Sequence, residues 1–250
     1  MRIERIYRYP VKGLSAEALE EVAVETGECL PWDRAFALAQ GDAPFDPEDP
    51  HWLQKSHFMC LMKNARIARL HSAFDPRSGM LVIRGPEGEI AENALTPEGR
   101  AAIGAWLTRA MGEEARGTPR FHHVPGHSFC DQRTKVVSLI SLASLAAFEA
   151  AVGAPRELMR FRANVYFTGA RPWTELDWVG QEILVGGARM KVVKRIVRCA
   201  ATEVNLETGE RDADPVKELR ALYGHADLGV HAQVIEGGKL AVGEAIQVFG

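Results

Sequence analysis

The sequence predicts an α+β fold, mainly β: a barrel-like sheet with a few packed helices, preceded by a smaller β-rich domain. Short apolar and β-branched segments recur along the 250 residues. Tight turns rich in Gly, Pro and Asp separate most of them. Helical periodicity shows in only a few places, without the regular strand–helix alternation of a doubly wound sheet.

Arg2–Tyr9 reads as a strand stopped by Pro10. Ala18–Glu25 alternates through Leu19, Val22 and Val24 and ends before Gly27, and Arg34–Ala39 is a third strand. The stretch Gly41–Pro50 holds three prolines and four acids and must be a loop. Ile67–Phe74 and Met80–Arg84 flank Asp75-Pro-Arg-Ser-Gly79 as a hairpin, with Gly85–Gly88 as the next turn. Thr96 caps a helix that starts at Pro97, carries Ile103, Trp106, Leu107, Ala110 and Met111 on one face, and ends at Gly112. Gly117–Thr134 is irregular and histidine-rich, suiting a boundary or a site loop.

Lys135–Ile140 reads as a buried strand, and Ser141 as the cap of a helix through Ala151 that stops at Gly153. Ala163–Thr168, Gln181–Val185 and Arg189–Val197 are strands, and Asp214-Pro215 opens a helix ending at Gly224. Gly229–Ile235 and Lys239–Phe249 read as a closing hairpin.

Composition bounds the function. Hydrophobic residues are 46% and charged residues 25%, with net charge −3, so nothing global points to nucleic acid or an anionic membrane. The four cysteines (Cys29, Cys60, Cys130, Cys199) form no C-x-x-C pair. That argues against a paired-thiol zinc site, an iron–sulfur cluster or a disulfide framework. There is no signal-type apolar run at Met1-Arg-Ile-Glu-Arg, and no stretch of the ~18–20 apolar residues a membrane span needs. The expectation is a cytoplasmic protein.

Motif by motif, familiar chemistries fall away. No glycine-rich nucleotide loop follows a strand, and no G-x-S-x-G is present. His122 and His123 are adjacent and point apart on a strand, while Pro125-Gly126 prevents His123 and His127 from sharing a helical face. Cys199 stands out instead. It follows a strand and is flanked in sequence by Lys194, Arg195 and Arg198. Nearby cations favour the thiolate, which is both nucleophile and soft metal ligand, and they also attract anions. Alone, the segment reads more readily as a small buried hydrophobe. Lys12, Arg34, Arg162 and Arg198 form a set of phosphate or oxyanion donors, with Asn164 and Ser141 as neutral polar partners. Individually they also read as solvated charge or turn chemistry.

Taken in order, these segments resemble the MOSC family (molybdenum cofactor sulfurase C-terminal domain), in particular members with an N-terminal MOSC β-barrel domain. The amidoxime-reducing and bacterial N-hydroxylated-base reductase group is of this kind. The resemblance is carried by Tyr9-Pro-Val-Lys12-Gly13, Asp33-Arg34-Ala-Phe36, Leu139-Ile-Ser141-Leu-Ala-Ser144-Leu145, Arg160-Phe-Arg162-Ala-Asn164-Val165, Trp178-Val-Gly180, Arg198-Cys199 with Thr202, Thr208-Gly209 and Val242-Gly243-Glu244. It implies an N-terminal domain over 1–118 and a MOSC domain over 119–250. It implies a pyranopterin molybdenum cofactor with Cys199 as the protein ligand to molybdenum. Lys12, Gly13 and Arg34 would line one part of the pocket, and Ser141, Arg162, Asn164 and Arg198 the other. Pyridoxal phosphate binding is a further label that the resemblance suggests.

The activity implied is reduction of N-hydroxylated or N-oxide compounds by oxygen-atom transfer. Electrons would come from a separate flavin, iron–sulfur or haem protein, since no cysteine cluster follows Cys199. Ala163 stands where the family often has proline between Arg162 and Asn164. No membrane-anchoring N-terminus like that of some relatives is expected. Two alternatives stay open: a non-catalytic cofactor carrier, and a sulfur-transfer protein using a Cys199 persulfide. Gly117–Arg133, with its histidines, is expected either to shape the substrate mouth and relay protons or to be a solvated linker.

Overall fold

Ile3 and Ile6 are both buried although they lie three residues apart, a spacing that puts side chains on opposite faces of a regular strand. A bulge between Ile3 and Arg5 resolves the conflict and lets both face the core. This first strand, β1 (Arg2–Arg8), belongs to a computed structural model that describes residues 1–249. Gly250, the last residue of the expected second segment, lies outside the described residues.

The remaining strands are β2 (Glu17–Leu19), β3 (Glu21–Val24), β4 (Phe36–Ala39), β5 (His71–Phe74), β6 (Met80–Gly85), β7 (Gly88–Asn93), β8 (Arg120–His123), β9 (Val137–Ser141), β10 (Val165–Thr168), β11 (Glu182–Val185), β12 (Ala188–Val197), β13 (Asp227–Glu236), β14 (Gly238–Ala241) and β15 (Ile246–Phe249). The helices are α1 (Pro97–Met111), α2 (Leu142–Val152) and α3 (Pro215–Tyr223). None is long and apolar enough to cross a membrane, among the described residues.

The fold is α+β. An eight-stranded sheet runs β15-β11-β12-β13-β9-β10-β1-β2. It curls, because the start of β1 bonds back to the chain entering β15: Ile3 N to Glu244 O at 2.9 Å and Ile246 N to Met1 O at 2.9 Å. Its inner face packs Ile3, Val137, Phe167, Ile183, Val192 and Val230. β9 and β10 run parallel, and the chain between them passes through α2. A second core, centred on Phe36, Leu81, Ile83, Ile103, Leu107 and Phe121, joins α1 to the β5-β6-β7 meander and the β4-β8 pair. The large sheet thus takes β1 and β2 from the first 118 residues and the other strands from beyond them.

Helix α1 forms as read: Thr96 Oγ1 accepts from Gly99 N at 3.1 Å, and Gly112 closes the helix at φ +54. Asp214 likewise caps α3 through Lys217 N at 2.9 Å. Several other expectations are corrected. Ala18–Glu25 is broken at Glu20 into β2 and β3, which pair with different partners, β1 and β14. Ile67–Phe74 is a strand only from His71; Ala65–Arg69 is a short 3₁₀ turn that buries Ile67 and Ala68. Beyond the Gly85–Gly88 turn the chain adds β7, whose polar sequence lacks an apolar alternation because it is an exposed edge pairing only with β6. Within Gly117–Thr134, Arg120–His123 is regular, held by β4.

The closing hairpin does not form. β14 pairs with β3 and β15 with β11. After β13 the chain crosses the β11–β12 turn at close range, with Gly187 N bonded to Lys239 O at 2.7 Å. A Cβ on Gly238 would overlap the Gly187 carbonyl. Ser141 stands at the α2 N-cap position, but its hydroxyl makes no capping bond. Glu175, distant in sequence, bonds the start of the helix instead, accepting from Ser141 N at 3.3 Å and Ser144 Oγ at 2.7 Å.

Candidate functional site

The end of β1, the Trp32–Arg34 turn, the strand β9 with its preceding loop, the entry to β10 and the end of β12 converge on one cavity of about 520 Å³. Lys12, Gly13, Arg34, Arg162, Asn164, Arg198 and Cys199 all line it.

Lys12 is 6% exposed; its ammonium donates to Phe129 O at 2.8 Å and pairs with Asp131. Gly13 sits at φ +88, and a Cβ there would press on Ile67 Cδ1 at 3.1 Å, so the chain after Lys12 needs glycine. Arg34 and Arg162 are both non-glycine residues at positive φ, +54 and +50. Such backbone strain concentrates at sites where surrounding structure fixes a side chain. Their guanidinium carbons lie 4.4 and 4.3 Å from the centre of the Tyr9 ring. Arg34 pairs with buried Asp33 and donates to Arg162 O at 3.0 Å. Burial opposes its charge, but Asp33 and Tyr9 outweigh burial and hold its pKa above the ordinary value. Arg162 lacks such a partner: burial, with Arg34 beside it, pushes its pKa down to about 10. An anion entering the cavity would relieve that repulsion.

Other predicted residues serve the framework. Asn164 Oδ1 accepts from Ser138 N at 3.1 Å and Ser138 Oγ at 2.7 Å, while Nδ2 donates to Tyr7 O at 3.1 Å, tying β9, β10 and β1 together. Arg198 donates to Leu228 O through Nε at 2.9 Å and to Phe161 O through Nη1 at 2.8 Å. Its pKa is pushed down to about 10, chiefly by burial. Ser141 does not reach the cavity; it is fully buried beside Glu175, and Oγ has no hydrogen-bond partner. Ser138, three residues earlier on the same strand and so on the other face, lines the cavity instead.

Cys199 is half-buried immediately beyond β12. The cation at its sulfur is not one of its sequence neighbours. Lys55 Nζ lies 3.1 Å from Cys199 Sγ and 3.5 Å from Asp131 Oδ2. Burial opposes the Lys55 charge, but Asp131 and Cys199 hold its pKa above the ordinary value. Lys194 and Arg195 do not line the cavity, and Arg195 Nε is turned to Leu176 O at 2.9 Å.

Sequence reasoning missed the loop between β4 and β5, which contributes Trp52, Gln54, Lys55 and Ser56 to the wall. A tryptophan and a lysine just after a proline-rich acidic run were the available signal. Arg133 lies 4.5 Å from the centre of the Trp52 ring, joining this loop to the one before β9. That second loop lines the cavity with Cys130, Asp131 and Gln132, not with its histidines. His122 and His127 pack on Phe45 and Phe129, at 4.9 and 4.7 Å between ring centres, and His123 lies 5.9 Å from Trp32. His231, on β13, was also missed. It lines the cavity with a buried Nδ1 that has no partner, and burial, with Arg198 and Lys194, pushes its pKa down to about 3. Its ring is therefore neutral at pH 7. A second cavity of about 740 Å³ lies beyond the Trp32–Arg34 turn and shares only Asp33 with the first.

Among the described residues no group of three His, Cys, Asp or Glu side chains could hold a metal by itself. A thiol beside an ammonium, among several cations and unpartnered ring nitrogens, suits a ligand that brings its own metal coordination and negative charge.

The profile of the MOSC domain matches residues 119–247, and that of the MOSC N-terminal beta barrel domain matches residues 1–117. The chain belongs to the MOSC family. This MOSC chain is 29% identical to the human protein named mitochondrial amidoxime-reducing component 1 over 296 aligned positions, covering 99% of this chain and 83% of that protein. It is 29% identical to the bovine mitochondrial amidoxime reducing component 2 over 122 positions, covering 44% of this chain and 36% of the relative. The YUAD protein from Bacillus subtilis aligns with a TM-score of 0.46 and 15% identity, covering 99% of this chain and 94% of that one.

Proposed function

We propose that this chain binds a pyranopterin molybdenum cofactor in the 520 Å³ cavity and reduces N-hydroxylated or N-oxide compounds. The observation that carries the reading is the convergence of the Cys199 thiol, paired with Lys55, and of Lys12, Arg34 and Arg162 around a single space. The residues fit the group. Cys199 offers a soft thiolate ligand, the two arginines offer forked donors for phosphate, and the unpartnered His231 Nδ1 and Trp52 Nε1 offer polar contacts for a heterocycle. Membership of the family, with relatives named for amidoxime reduction, supports the same substrate class.

When bound, the cofactor supplies the two-electron chemistry that converts N–OH, with two protons, to N–H and water. The protein does the rest. Lys12, Arg34 and Arg162 bind the anionic part, and Gly13 lets the chain turn closely beside it. Asn164 and Arg198 hold β10 and the end of β12 in place, so that Cys199 faces the cavity. In this proposal residues 1–118 and 119–250 contribute to one site, electrons come from a separate donor protein, and the protein works in the cytoplasm.

The test is molybdenum and pterin content by mass spectrometry, on protein made in a cofactor-competent host, for wild type and Cys199→Ala. Near-stoichiometric metal that falls sharply in the variant is expected. No metal and no pterin in either protein would overturn the proposal.

A further inference from the structure

Lys12 and Lys55 come from distant parts of the chain and meet at one carboxylate. Lys12 pairs with Asp131 Oδ1, and Lys55 Nζ lies 3.5 Å from Oδ2. The partners are unequal. The Lys12 side chain is 6% exposed, whereas Asp131 is 47% exposed and sits in the irregular segment between β8 and β9. A buried ammonium needs a counter-charge. Asp131 supplies it from outside the regular framework, through a carboxylate that solvent already reaches. Burial opposes the Asp131 charge, but Lys12, Lys55 and Arg34 together hold its pKa well below the usual carboxylate range, so it is an anion throughout neutral pH.

An anionic ligand in the cavity needs these same ammonium groups. It and Asp131 cannot both take the position between Lys12 and Lys55. Lys55 has one other polar partner among the described residues, Cys199 Sγ at 3.1 Å, so exchange at the carboxylate bears directly on the sulfur.

We propose that Asp131 is an exchangeable internal anion, which offsets part of the Lys12 and Lys55 charge until a phosphate-bearing ligand replaces it. Seating the ligand then releases residues 130–132 from the cavity wall. The inference rests on the anion-binding reading of the cavity, but it assigns to Asp131 a role opposed to that of the cations: it weakens binding and lowers the positive charge of the site without ligand.

The test is calorimetric titration with inorganic pyrophosphate at low ionic strength, on wild type, Asp131→Asn and Lys12→Met. Asp131→Asn should bind at least about fivefold more tightly than wild type, and Lys12→Met at least about tenfold more weakly. Equal or weaker binding by Asp131→Asn, with Lys12→Met impaired, overturns the exchange while leaving the anion site standing. No binding by wild type or Asp131→Asn overturns the anion site and the exchange with it. Should Asp131→Asn not fold, hydrogen exchange on wild type decides: pyrophosphate should speed amide exchange across 130–132, and unchanged or slower exchange overturns the proposal.

Discussion

Lys55 Nζ lies 3.1 Å from Cys199 Sγ although 144 residues separate them in sequence. An ammonium at this distance can pair with a thiolate, the form of a thiol that alkylates. Iodoacetamide labelling of Cys199 at pH 7 should therefore slow about fivefold in Lys55→Met, the effect of roughly 1 kcal/mol of ion pairing, and recover in Lys55→Arg. Cys29 and Cys60 should stay unlabelled in the native protein. They are 8% and 7% exposed, and burial pushes the Cys29 thiol up to about 12. Cys130 is half-buried, so the rates are best read in a Cys130→Ser background. An unchanged rate in Lys55→Met would mean that the contact does not act on the sulfur.

That contact marks the boundary of what the sequence displays. Local chemistry is legible: Thr96-Pro97 and Asp214-Pro215 open helices as capping rules require, and β-branched Val137–Ile140 forms a buried strand. The thiol and the arginines are legible as residue types, and in their order as a family pattern. What fails is anything decided between distant segments. Arg198 is adjacent to Cys199, yet its guanidinium donates to two carbonyls, while the cation at the sulfur comes from a loop that composition describes only as irregular. Ser141 matches a pattern, but strand parity and Glu175 turn it away from the cavity. The closing hairpin is lost because long-range glycine contacts, not turn chemistry, choose the partners of β14.

Arg198 is accordingly expected to matter for stability before it matters for ligand binding. Arg198→Met leaves the carbonyls of Phe161 and Leu228 without their charged donor in a region where Arg198 is 8% exposed. The expected cost is about 2–4 kcal/mol in urea denaturation. A loss under about 1 kcal/mol would contradict this structural role.

Glu175 gives the fold a pH dependence of definite sign. Its side chain is fully buried, and burial raises its pKa above 4.5 despite bonds from Ser144 and Ser141. Between the unfolded value and the raised folded value, the native state holds the extra proton. Stability is therefore fully present below the unfolded value and declines as pH rises through the folded one. The slope cannot exceed about 1.4 kcal/mol per pH unit for one proton. In Glu175→Gln this contribution should vanish, seen as a flatter urea midpoint against pH above 4.5 than in wild type. An identical profile in the variant would assign the slope to other groups.

Gly229 joins the sheet to the site and separates two effects of adding a methyl group. It sits on β13 at φ +82. A Cβ there would overlap the Leu139 carbonyl oxygen and lie 2.6 Å from Ile140 Cγ1 and 3.3 Å from Arg198 Nη2. Gly153, at φ +76 after α2, has nothing within 4 Å of the same position. Gly153→Ala should therefore cost only the left-handed backbone penalty, about 1–2 kcal/mol. Gly229→Ala should cost that plus the collision, about 2–4 kcal/mol in total, because backbone and a buried β-branched side chain cannot move aside cheaply. It should also alter Cys199 labelling, since Arg198 Nη2 is displaced, whereas Gly153→Ala should not. Equal destabilisation by the two substitutions would show that packing of β13 on β9 is looser than the geometry requires, and would remove Gly229 from the residues that position Arg198.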